Sequence, residues 1–279
     1  MTGRLEVRKT YKLFIGGAFP RSESGRTTPV TTPDGRLLAH VAQASRKDVR
    51  DAVRAARGAQ GAWDGRTPYN RGQIIYRVAE VLEGRSAQLA GELEAVGVAS
   101  ADARADVERA IDAAVYWAGF ADKLDALAGG VNPVAGPFLN LSTTVPLGVC
   151  ALACPGTGVH GVVSLVCPAI MAGNTVVALA GGPAALVTST LGEVIATSDV
   201  PGGVVNLLTG DHAQLLPWLA DHDDVDLIDL SGAPDGSAAD LEARAADNLK
   251  RTVRTGGAED LLTAMAFCEI RTVWHPARI

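Results

Sequence analysis

From Val149 onward the chain alternates short apolar runs with helical stretches, and this constrains the fold more than any other feature. VCALA, TVVALA, VVNLLTG, VDLIDLSG and LKRTVRTGG read as strands. His160 to Met171, Pro183 to Thr197, Gln214 to Ala220 and Ser237 to Asn248 read as the helices between them. Gly173-Asn174 is the stop signal of the first of these helices. Parallel neighbours need a long crossover, and a helix supplies it, so strand-helix alternation implies a parallel sheet with helices on both faces. The expected class is α/β.

The first half is organised differently. Residues 11 to 45 alternate apolar and polar side chains between turn signals, Pro33-Asp34-Gly35 among them, and read as short strands. Ser45 is a candidate N-cap with Asp48 three residues on, followed by the stripe Val49, Ala52, Val53 and Ala56. Thr67-Pro68 opens a second helix, Ser86 to Val96 is a third, and Asp102 to Leu127 a fourth. Residues 137 to 153 read as two strands interrupted near Pro146.

Composition excludes several classes. The chain has 279 residues and a net charge of −6, so it lacks the basic footprint of a nucleic-acid binder. Aromatic residues are 5% of the total, too few for stacking platforms. The opening MTGRLEVRKTYKLFIGG has no uninterrupted apolar core and is not expected to be a signal peptide. The apolar stretch from Val159 to Ala180 is broken by Pro168 and Gly173-Asn174, which suits a buried helix and strand rather than a membrane span. Cys150, Cys154, Cys167 and Cys268 lie in apolar surroundings without CxxC spacing. They read as buried free thiols in a reducing cytoplasm.

The sharpest local motif is Gly156-Thr157-Gly158-Val159-His160-Gly161, a GxGxxG that follows a predicted strand and opens a predicted helix. Such glycines let a pyrophosphate approach a helix N-terminus. The motif also wants an acid about 20 residues on for a ribose hydroxyl. Leu179-Ala180-Gly181-Gly182 stands there, and no acid comes before Glu193. The loop is therefore either a cradle without its ribose partner or a glycine-rich turn. Cys154, beside the loop and near His160, is the best-placed thiol for nucleophilic chemistry, against packing at a strand end. Asp221 to Asp224 reads as a solvated loop, not a metal site. Arg251 and Arg254 read as a solvated strand edge rather than an anion site.

Ordered partial matches along the chain resemble the NAD(P)-dependent aldehyde dehydrogenase superfamily. They include LFIGGAFPRSESGRTTPVTTPDGRLLAHVAQAS, AVRAARGAQGAW, IIYRVAEVLE, AIDAAVYWAGFADKL and PLGVCALACP. PAIMAGNTVV, VPGGVVNLLTG, AADNLKR before Gly256-Gly257, and the closing FCEIRTVWHP extend the series. The resemblance implies a Rossmann-type sheet plus oligomerisation strands. Residues 1–136 would be N-terminal strands and helices packing on the cofactor-type domain, and 137–149 an oligomerisation hairpin. Residues 150–260 would be the Rossmann-like core, and 261–279 a C-terminal oligomerisation strand. The degenerate cofactor-binding positions would be Gly156, Thr157, Gly158, Gly161 and Gly232.

The departures from the resembled pattern concern its chemistry. The PWNF loop, whose Asn holds the thiohemiacetal oxyanion, is Pro155-Gly156-Thr157-Gly158 here, with Thr157 at the Asn position. The KP pair with its ribose-binding lysine is Leu179-Ala180. The FTGS segment is Leu230-Ser231-Gly232-Ala233, and ELGG with its general-base Glu is Arg254-Thr255-Gly256-Gly257. From Gly257 the chain then reaches the closing segment within about a dozen residues, short of the domain's worth of sequence that carries catalysis. The resemblance thus implies a catalytically inactive member with no catalytic residues and no metal. NAD(P) binding would be weak or absent. Such a chain would act as a structural or regulatory subunit with a full-length aldehyde dehydrogenase or with itself. Ala264 to Trp274 is expected to pair as a strand with a partner's sheet, because a shortened chain offers it little to pair with. Two alternatives stay open: a nucleotide or phosphate sensor using the Gly156–Gly161 loop, and an aldehyde oxidoreductase using Cys154 or a partner's groups.

Overall fold

The computed structural model describes residues 9–156, 158–182 and 184–276. β1 (Thr27–Thr31) and β2 (Leu37–Ala42) pair antiparallel across the Pro33-Asp34-Gly35 turn, where Gly35 takes the φ of +85° that the turn demands. α1 (Arg46–Asp64) begins as its sequence indicates. Ser45 accepts from Asp48 N while the Asp48 carboxylate accepts from Ser45 N. α2 (Pro68–Gly84), α3 (Ser86–Ala95) and α4 (Ser100–Phe120) follow, and α5 (Leu124–Ala128) is separated from α4 by a turn at 121–123. The single helix expected over 102–127 is therefore two.

β3 (Gly130–Asn132) and β4 (Phe138–Pro146) lead into the main sheet. Its strands and crossovers are β5 (Val149–Ala153), α6 (His160–Met171), β6 (Thr175–Ala180), α7 (Ala184–Ala196), β7 (Val205–Thr209), α8 (His212–Ala220), β8 (Leu227–Asp229), α9 (Ala238–Ala246) and β9 (Arg251–Val253). The five strands lie in the order β7-β6-β5-β8-β9, all parallel. Every residue of β5, β6 and β7 is buried, which is why they read as continuous apolar runs. Alternation divides them between two cores: Cys150 and Leu152 pack with the α2, α4 and α6 side, Val149, Ala151 and Ala153 with α1 and α8.

The C-terminal segment departs from expectation. Residues 261–266 form a helix, α10 (Leu261–Ala266), whose N-cap Asp260 accepts from Thr263 N. β10 (Cys268–Pro276) then pairs antiparallel with β4 of the same chain, from Cys268 opposite Pro146 to Pro276 opposite Phe138. With β3 on its far side, β4 is the centre of a three-stranded sheet in the order β10-β4-β3. The expectation that the closing strand lacks a partner within the chain is thus corrected: β4, roughly 130 residues upstream, takes it. Residues 137–149 are not a hairpin but this central strand, turning into β5.

Asn174 ties these parts together. Its buried side chain accepts from Leu147 N (2.8 Å) and Gly148 N (2.9 Å) and donates to the carbonyls of Ala169 (3.0 Å) and Phe267 (2.7 Å). One amide so joins the β4–β5 turn, the end of α6 and the return of the C-terminal segment. Phe267 is fully buried in the core, so this segment is part of the fold rather than an appendage to it. Among the described residues no helix is long and apolar enough to cross a membrane.

Candidate functional site

In a doubly wound sheet the ligand crevice lies outside the carboxyl ends of the strands where the order reverses. Here that point falls between β5, which is followed in sequence by its neighbour β6, and β8 on its other side. Of the candidate residues, Gly232 lies against Cys154 and Pro155 at the end of β5, Gly156 faces the Gly181 carbonyl, Gly158 faces Asp106 and Gly161 lies inside α6; Thr157 lies outside the described residues.

The first amides of α6 are already bonded within the chain. The amide of Val159 donates to Asp106 Oδ2 at 2.7 Å and that of His160 at 3.2 Å. Asp106 belongs to α4 and is buried. Its carboxylate therefore holds the amides at the start of α6 that a phosphate would need, and it complements the positive end of that helix. A Cβ on Gly158 would stand 2.4 Å from Asp106 Oδ2, so this glycine makes room for the carboxylate. Gly161 is buried within α6. Across the crevice, Gly232 N donates to Ala153 O at 2.8 Å, and a Cβ on Gly232 would lie 2.4 Å from the Cys154 carbonyl carbon. Backbone meets backbone there. An anion at the Val159 and His160 amides would have to displace the Asp106 carboxylate.

Two further groups crowd the same rim. His212, the first residue of α8, sends its imidazole back to the sheet, where Nε2 bonds the Leu179 carbonyl at 3.1 Å. Leu179 stands at the position of the implied ribose-binding lysine. Burial lowers the His212 pKa from its ordinary value, so the ring is neutral at pH 7 and Nε2–H is the donor. Asp229, fully buried at the end of β8, accepts from Ser231 N (2.8 Å), Thr255 Oγ1 (2.6 Å) and Thr255 N (3.3 Å). It thereby holds the Thr255-Gly256-Gly257 loop down on the sheet.

Burial raises the pKa of all four thiols. All four cysteines are buried and free. Cys154 Sγ has one polar contact among the described residues, the Leu152 carbonyl at 3.8 Å, and His160 is not its partner. Burial, with Asp229 adding to it, pushes the Cys154 pKa far above that of a free thiol. Burial alone raises Cys167 to about 12, and burial raises Cys268 to about 11. Arg251 donates to the carbonyls of Ala266 (3.2 Å) and Cys268 (2.8 Å), so it anchors the return segment; Arg254 pairs with Glu242. Among the described residues no group of three or more His, Cys, Asp and Glu is placed to hold a metal ion.

Sequence reasoning missed Asp106, His212 and Asp229. Asp106 had a signal: it interrupts the buried stripe of Ala103, Val107 and Ala110 on α4, where an acid needs a partner.

Comparison with known proteins follows the same outline. The model of the aldehyde dehydrogenase family matches residues 19–275. Cytosolic aldehyde dehydrogenase 1 of Elephantulus edwardii is 33% identical over 259 residues, which span 89% of this chain and 50% of that one. HpcC of Thermus thermophilus superposes with a TM-score of 0.82 at 28% identity, covering 88% of this chain and 47% of the other. An NAD-dependent aldehyde dehydrogenase of Sinorhizobium meliloti gives 0.80 at 27%, covering 88% and 50%. The chain spans about half the length of these relatives.

Proposed function

The chain belongs to the aldehyde dehydrogenase family, and from that premise we propose that it is a non-catalytic member acting as a structural or regulatory subunit. The observation that carries this reading is the state of its thiols. Aldehyde oxidation by a covalent route needs a thiolate within reach of a base, an oxyanion donor and a bound nicotinamide. Cys154 is buried, its Sγ makes no hydrogen bond to a basic side chain among the described residues, and burial favours its thiol form. Arg254 and Thr255 stand where the resemblance implies the Glu base and its neighbour.

Weak or absent binding of nicotinamide dinucleotides belongs to the same proposal. It is supported by Asp106 on the α6 amides and by the contact of Gly232 with Cys154 and Pro155. The same contacts weigh against a phosphate sensor at this loop. The partner would be another family member or a second copy, and the compartment a reducing cytoplasm, in keeping with the free, buried thiols.

The test is direct. The purified chain, supplied with NAD⁺ or NADP⁺ and a panel of aliphatic and aromatic aldehydes, should give no turnover above background. Cys154→Ser should leave that result unchanged. Turnover that Cys154→Ser abolishes would overturn the proposal, since losing one catalytic group costs orders of magnitude in rate.

A further inference from the structure

We draw no further inference here: the strongest candidate, the surface groove between Arg46, Lys47 and Arg50 at the start of α1, Trp218 on α8 and the acidic loop at 221–224, joins a helix N-terminus already capped by Ser45 to a cluster of exposed acids, and no residue of its walls holds a buried polar atom left without a partner, so nothing among the described residues points to a ligand there.

Discussion

Glu92 illustrates how a single residue sets a pH dependence. Its side chain lies between the N-terminal segment, α3 and α7. Oε1 accepts from Thr190 Oγ1 (2.9 Å), Gln88 Nε2 (3.3 Å) and Tyr11 OH (3.4 Å), with Lys9 Nζ at 3.9 Å. Oε2 is buried and has no partner among the described residues. Burial is the largest effect and raises the pKa of Glu92 above 4.5, against Thr190 and Lys9, which favour the anion; Glu193 raises it further. Lys9 and Arg85 in turn pair with Glu193, and Tyr11 is pushed up to about 12 by burial and by Glu92. A carboxyl whose pKa is raised on folding contributes stability below its unfolded pKa and loses it as pH rises through the folded value. Glu92→Gln removes the ionisation while keeping an oxygen acceptor. Its melting temperature relative to the unsubstituted protein should therefore rise between pH 4 and pH 8. A difference that stays flat or falls over that range would contradict the assignment.

At the scale of elements, the start of α6 shows what a local pattern can and cannot tell. The glycines at 156 and 158 lie between the end of β5 and the start of α6, where Gly158 leaves room for the Asp106 carboxylate, and Gly161 lies inside the helix. They did not tell which anion the turn was built for. That answer came from α4, some 50 residues earlier, whose Asp106 reaches the Val159 and His160 amides. Asp106→Ala should cost about 2 kcal/mol, in the range of a lost helix cap, and Asp106→Asn about half of that since its amide oxygen still accepts. Urea unfolding midpoints measure both. Equal stability of all three forms would mean that the contact contributes nothing. A bulky residue at Gly158 is a poor probe of ligand binding here, because its Cβ already meets Asp106. The same division holds elsewhere. The fully buried strands β5, β6 and β7 and the capping box of α1 were legible because their signals are local. The partner of β10 was not, because a strand's pattern fixes which faces it shows and not which strand lies beside it. α10 carried a readable cap in Asp260 and Thr263, yet its six residues are too few for a periodicity to stand out against the strand that follows.

For the whole molecule, the question is what covers the small sheet. Val131, Leu141 and Val273 stand in register across β3, β4 and β10, and are exposed to 68%, 40% and 53%. Leu139 joins them on that face of β4. Ile270, Trp274 and Phe138 lie on the opposite face, the last two rings 5.9 Å apart. Exposed apolar rows of this kind mark interaction surfaces, and the outer edge of β10 bears no strand among the described residues. The proposed subunit role therefore predicts an assembly larger than one chain, whether with itself or with a full-length relative. Deleting the closing segment would not test this cleanly. β10 supports β4 inside its own chain, and Phe267 is part of the core, so the deletion would damage the fold before it revealed a partner. Paired substitutions Val131→Asp and Val273→Asp are the sharper instrument, because both side chains already face solvent in the single chain and their exchange leaves the hydrogen-bonded ladder in place. Two charges on an interface without partners oppose its closure strongly. Sedimentation should then show the assembly of the unsubstituted chain reduced to monomer, with an unchanged circular dichroism spectrum. A chain that already sediments as a monomer alone and in mixture with a full-length family member would rule the subunit role out.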